Sequence, residues 1–267
     1  MSTREASAGA APPPADAEGA LVRSRIYKAL SLAFLYPSRQ FFEELRDGGY
    51  AGQWSALIEA LPRAHPAAGA LPRFGAELEA ALAGLCFEDY ETAYITTFDV
   101  GTPQPPCAPY EGNFREGIPR AKRLLNIVAF YRHFGLKMSE EECKRELADH
   151  ASVELEFMHF LAFKEAQARE AGEEDLLRGY ALAQRDFLAR HLTAWFPKFT
   201  DKLKTAAASP AFASIAAVAA AFIEQDLIFL RGCLQTWGVP ELREMPEIVE
   251  QPSTEPAATG CCPAAGD

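Results

Sequence analysis

His150 and Glu154 are the residues whose types and spacing most directly suggest chemistry. They stand four apart at the start of a run, Asp149-His150-Ala151-Ser152-Val153-Glu154-Leu155-Glu156-Phe157-Met158, that mixes ionisable with large apolar side chains. At 100° per residue both fall within the helical arc of Val153, Phe157, Met158 and Leu161, so both should be partly buried. A carboxylate and an imidazole taken out of water need each other, or a ligand, to offset lost solvation. The expected local picture has Asp149 capping the helix and His150 paired with Glu154.

Two further residues on this helix, Glu156 and His159, have the Glu-x-x-His spacing that places a carboxylate and an imidazole on one metal ion. Di-iron bundles use two such motifs plus a glutamate from each of two more helices. This chain has one copy, so a metal-dependent helical-bundle enzyme is the alternative reading and not the leading one. The chain has no Gly-x-Ser-x-Gly elbow, no glycine-rich phosphate loop and no His-Glu-x-x-His, which leaves hydrolase, kinase and dehydrogenase readings without support.

The elements that must position these residues read as helices. Apolar residues at 22, 26, 29, 30, 33 and 34 mark a first helix stopped by Pro37, and shorter amphipathic stretches follow near 38–47, 52–60 and 71–83. A helix near 86–98 carries Phe87, Tyr90, Tyr94 and Phe98 at spacings of three, four and four, an aromatic stripe best read as core. Further helices are expected at about 119–135, 139–147, 149–171, 174–194 and 210–237, with Pro197 closing the one before it. No alternating strand pattern of useful length occurs, so the fold class is all-α, a single-domain helical bundle. Its domain should cover 20–240, between disordered tails at 1–19 and 241–267 that are poor in large apolar residues.

Between the aromatic helix and the next lies Asp99 to Asn113, a loop with four prolines and two glycines. A loop this long inside a compact domain tends to be functional. Its aromatic ends, including Tyr110 beside Glu111, argue that it packs onto the helices.

Composition narrows the partners. The 267 residues include 37 acidic and 26 basic ones, a formal charge of −11 that disfavours nucleic acid and anionic membranes and suits a cationic partner. Six scattered cysteines without a Cys-x-x-Cys pair read as reduced and cytosolic, and the adjacent Cys261 and Cys262 as an unpaired thiol pair. The first twenty residues have no apolar signal core, and the apolar window Ala211 to Ile223 looks too short to span a bilayer, so no stable membrane insertion is expected.

Four segments, taken in order, resemble the TorD/DmsD/NarJ-type family of redox-enzyme maturation chaperones. They are Tyr90-Glu91-x-x-Tyr94-x-x-x-Phe98, the loop Pro105-Pro106-x-x-Pro109-Tyr110-Glu111, then Asp149-His150-x-x-x-Glu154-Leu155-Glu156-Phe157-Met158, and His191-Leu192-x-x-Trp195-x-Pro197-x-Phe199. The resemblance covers roughly residues 21–237 and looks closest to the branch serving periplasmic molybdenum enzymes of the dimethyl-sulfoxide-reductase type. It implies an all-helical cytoplasmic protein without catalytic turnover or a cofactor of its own. It further implies that the partners are the apo catalytic subunit of a molybdoenzyme and its twin-arginine signal peptide, held until cofactor insertion is complete. Asp149, His150, Glu154, Tyr110, Glu111, Tyr94 and Met158 are the candidate client-binding residues. An acidic surface beside a groove of aromatics, Met and Leu would complement a cationic head followed by an apolar stretch.

Overall fold

The computed structural model describes residues 16–47, 49–69, 74–117, 119–137 and 147–240. The expected tails up to residue 15 and beyond 240, the vicinal cysteines and nearly all of the expected helix at 139–147 lie outside them.

Helix α1 (Ala17–Ala33) begins where Asp16 accepts a hydrogen bond from the Gly19 amide at 2.7 Å, three residues inside the segment expected to be a tail. It buries Val22, Ile26, Tyr27 and Leu30 completely or nearly so. The long α7 (Ala151–Ala171) packs along it, and small residues on α1 permit the close approach: Ser31 donates to the Ser152 carbonyl at 2.9 Å. Gly172 ends α7 at φ 71°, the left-handed conformation that glycine adopts without a side-chain penalty.

Between these two helices in sequence come α2 (Arg39–Arg46), α3 (Gly49–Glu59), α4 (Phe74–Leu82), α5 (Phe87–Tyr94) and α6 (Arg120–His133). After α7 come α8 (Glu174–Phe187), α9 (Thr193–Ala206) and α10 (Pro210–Thr236). The all-α expectation holds: among the described residues the extended pairing is a single isolated bridge, Tyr110 with His150. The aromatic stripe is core, since Tyr90, Tyr94 and Phe98 are buried with ring contacts to Phe212 at 5.0, 6.0 and 5.0 Å.

Two expectations do not hold. Pro197 does not close a helix; it sits inside α9, which continues to Ala206. A widened π turn at Leu188–Leu192 joins α8 to α9, and the carbonyl that Pro197 cannot satisfy belongs to Thr193, the first residue after that turn. The apolar run at 211–223 is not short either, because α10 extends for 27 residues and by length and composition could cross a membrane. In this fold it packs on α9 and α4 as a core helix, with Asp226 fully buried on its inner side.

Asp226 belongs to a buried ionic cluster. Arg23 donates to Asp226 through Nε at 2.5 Å, to Glu165 at 2.8 Å and to Gln184 at 2.6 Å, so one guanidinium ties α1 to α7, α8 and α10. Tyr27 Oη at 2.7 Å and His65 Nε2 at 3.1 Å complete the shell of Asp226. Burial alone would raise the Asp226 carboxyl, but Arg23 and His65 hold it far below the usual range.

Candidate functional site

The 99–113 loop is anchored at both ends. Its Cys107 amide donates to the Thr97 carbonyl at 3.0 Å, and the fully buried thiol faces the Phe199 carbonyl. At its far end the loop pairs with the start of α7. The Glu111 amide donates to the Asp149 carbonyl at 2.9 Å, and the Ala151 amide donates to the Pro109 carbonyl at 2.8 Å. The rings of Tyr110 and His150 meet edge to face at 4.8 Å.

Around this bridge the polar side chains are committed to one another. Asp149 Oδ2 accepts the Gly112 amide at 3.1 Å and lies 3.9 Å from Arg120 Nε. Glu111, fully buried, is held between Arg115 at 2.5 Å and His191 at 3.0 Å. Arg115 also donates to the Arg190 carbonyl at 2.6 Å, which fastens the loop to the widened turn. Glu154 accepts the Trp195 indole N–H at 3.1 Å. Glu154 Oε1 and Asp149 Oδ1 are buried with no hydrogen-bond partner among the described residues.

The electrostatics follow from that burial. Desolvation, reinforced by Glu111 and Asp149, pushes Glu154 well above the ordinary carboxylate range. Asp149 is raised for the same first reason, burial. Burial also acts upward on Glu111, but His191 and Arg115 outweigh it and hold the group below its usual value. His150 is depressed by burial to about 3 and is therefore a neutral imidazole.

Neutral imidazole explains a departure from the expected pairing. His150, not Asp149, is the N-cap of α7: its backbone is extended and its free-base Nδ1 accepts the Ser152 amide at 3.3 Å, with the Ser152 hydroxyl at 2.7 Å. Asp149 precedes the cap and is drawn to Gly112 instead. Among the described residues, the hydrogen bonds of His150 and Glu154 go to Ser152 and Trp195 respectively, in place of the expected pair. Tyr94 is buried, donating to the Phe34 carbonyl at 3.1 Å, and Met158 is fully buried in the core. Of the seven candidate residues, five converge on the bridge and these two are core residues.

The residues of the metal alternative have protein partners. Glu156 binds Lys28 at 2.7 Å, and His159 Nδ1 lies 2.8 Å from the Ser24 hydroxyl.

An open cleft of about 830 Å³ borders the bridge. Leu35, Tyr36, Phe98, Pro105 and Tyr110 contribute to its wall, together with the charged Asp99 and Arg120. Tyr94 supports this wall from inside through its ring contact with Tyr36 at 5.5 Å. Sequence reading missed Arg115 and Arg120 and met His191 and Trp195 only within the family resemblance. The available signals were i,i+4 spacings, Glu111 to Arg115 and His191 to Trp195.

The fold is thus a helical one in which an ionisable cluster locks a loop onto a helix start, beside an open cleft of mixed polar and apolar lining. Comparison with known proteins supplies the family. Residues 64–201 match the family described as nitrate reductase delta subunit. The perchlorate reductase assembly chaperone protein of Dechloromonas aromatica (strain RCB) is 33% identical over 209 residues, covering 78% of this chain and 89% of that protein. The selenate reductase assembly chaperone protein of Thauera selenatis is 32% identical over 178 residues, covering 67% of this chain and 75% of its own. A crystal structure of a putative redox enzyme maturation protein from Archaeoglobus fulgidus aligns over 78% of this chain and 93% of its own, with 24% identity and a TM-score of 0.41. The chain belongs to the nitrate reductase delta subunit family, the TorD-like group that its motifs resemble. It is a family of assembly chaperones and not of enzymes.

Proposed function

We propose that this protein is a cytoplasmic chaperone for the apo catalytic subunit of a molybdenum oxidoreductase of the dimethyl-sulfoxide-reductase type. It binds the subunit's twin-arginine signal peptide, supports cofactor insertion, and delays export until assembly is complete. The folded unit that does this is the helical domain ending near residue 240.

One observation carries the reading: the loop bearing Tyr110 is fastened to the start of α7 so that its aromatic face borders the cleft. A twin-arginine peptide brings two guanidinium groups followed by an apolar stretch. Leu35, Phe98, Pro105 and Tyr110 offer the apolar track, and Asp99 offers a carboxylate in the same lining. The net charge of −11 steers a cationic peptide inward. In this reading Tyr110 touches the client. Glu111, Asp149, His150 and Glu154 hold the loop from beneath, while Tyr94 and Met158 belong to the core. The names of the relatives, assembly chaperones for perchlorate and selenate reductases, support the choice of client class.

The test is coexpression of the tagged chain with such a catalytic subunit. The reading expects capture of cofactor-free subunit, with much weaker capture when the signal peptide is deleted. Equal capture of cofactor-loaded and cofactor-free subunit would contradict it.

A further inference from the structure

Arg120 stands where helix energetics disfavour it. It is the first residue of α6, a helix with no acid in its first turn, and the positive end of the helix dipole repels a guanidinium there. What holds Arg120 lies across the loop instead. Its guanidinium sits over the Tyr110 ring, 5.7 Å from the centroid, and its Nε is 3.9 Å from Asp149 Oδ2. The side chain passes so close to Gly112 that a Cβ there would lie 3.1 Å from that Nε. The grip is weak: 3.9 Å exceeds hydrogen-bond length, and the side chain is 48% exposed.

Asp149, by contrast, is fully buried, and its Oδ1 has no hydrogen-bond partner among the described residues. A buried carboxylate short of donors, an aromatic ring and a loosely held guanidinium against both make an arginine site that is already filled. The charge of the cleft agrees. Asp99 and Arg120 are the charged residues of its lining, one of each sign. With Arg120 in place these charges cancel and give a cationic peptide no local attraction; with Arg120 turned away, the charge of Asp99 remains and Asp149 is uncovered.

We propose that Arg120 is a resident stand-in for a client arginine. On binding, one guanidinium of the peptide takes its place over Tyr110 and beside Asp149, and Arg120 turns out to solvent. The proposal rests on the twin-arginine reading above and adds to it a residue that sets selectivity. Exchanging one guanidinium for another gains little by itself, so a basic segment without an apolar stretch is refused, and a signal peptide is held by its further contacts on the apolar track.

Calorimetry of the full-length chain against the client's signal peptide tests this. Arg120→Gln should bind the peptide roughly threefold or more tighter than the native chain. The gain should vanish for a peptide whose two arginines are glutamine. Lys122→Gln removes the same charge from an exposed position on the same helix turn, outside the cleft lining, and should leave affinity within about twofold. Circular dichroism checks folding, and Arg120→Met, which keeps the stem over Gly112, is the second variant. A peptide that binds the native chain as tightly as Arg120→Gln and Arg120→Met overturns the exchange and leaves the client reading standing. So does an equal gain from Lys122→Gln. Absence of binding to the native chain and to every variant overturns the client reading and the exchange with it.

Discussion

Tyr110 and His150 face each other across an antiparallel bridge, their ring centroids 4.8 Å apart, and through this contact a proline-rich loop is held to the first turn of α7. His150 does two jobs there, capping the helix with Nδ1 and supporting the Tyr110 ring. The jobs separate by substitution. His150→Asn keeps a good N-cap and removes the ring, so the melting temperature should stay close to that of the parent while client binding falls. His150→Ala loses both and should cost about 1 kcal/mol of stability. Full client maturation by His150→Asn at native protein levels would reduce His150 to a cap.

Gly112 tests the loop anchor from the other side. A Cβ there would sit 2.9 Å from Asp149 Oδ2 and 3.1 Å from Arg120 Nε. Gly112→Ala should therefore force the loop off the carboxylate at a cost of about 1–3 kcal/mol. Helical content measured by circular dichroism should be unchanged and client binding reduced. Unaltered denaturation and binding would show that the anchor is loose.

The Arg23 cluster is a stability device. Arg23→Ala leaves Asp226 buried without its guanidinium and Glu165 with Arg169 alone, and chemical denaturation should show a loss of about 3–5 kcal/mol. Arg23→Met with Asp226→Leu removes both partners and should recover part of that loss. A single variant as stable as the parent would mean the cluster is solvated in solution.

Glu154 predicts a pH signature. Its folded carboxyl is raised well above the ordinary value of 4.5, so between those two values the folded state holds a proton that the unfolded state has released. Stability should therefore decline as pH rises above about 4.5 through that window. Glu165 and Asp226 are lowered instead, and their contribution is present above the unfolded carboxylate values and lost as pH falls below them. Glu154→Gln mimics the protonated form and keeps an acceptor for Trp195. It should flatten the loss on the alkaline side, as read by urea denaturation across a pH series. A slope identical to the parent would assign the effect elsewhere.

Helix after helix was legible because apolar residues recur with the helical period, as at 22, 26 and 30 of α1. Helix α9 was not, because Pro197 carries a stop signal and the widened turn that accommodates it has no signature in composition. The site divides in the same way. Tyr110, Glu111, Asp149, His150 and Glu154 were found from local pattern, and the structure brings them together. Their partners were not, since whether His150 turns to Glu154 or to Ser152 depends on what chain segments separated by tens of residues bring to the same place. Arg23 stands close to Arg25 and Lys28 in the first helix, where a basic residue reads as solvated, and is in fact fully buried.

The central claim, that the Tyr110 cleft receives a twin-arginine signal peptide, is most directly tested by isothermal calorimetry of the client's peptide against the native chain and Tyr110→Ala. The account predicts saturable binding to the native chain and weaker binding to Tyr110→Ala. It also predicts weaker binding when both peptide arginines become glutamine, and slower association at higher salt. Equal affinity for the arginine and glutamine peptides, in both the native chain and Tyr110→Ala, would contradict it.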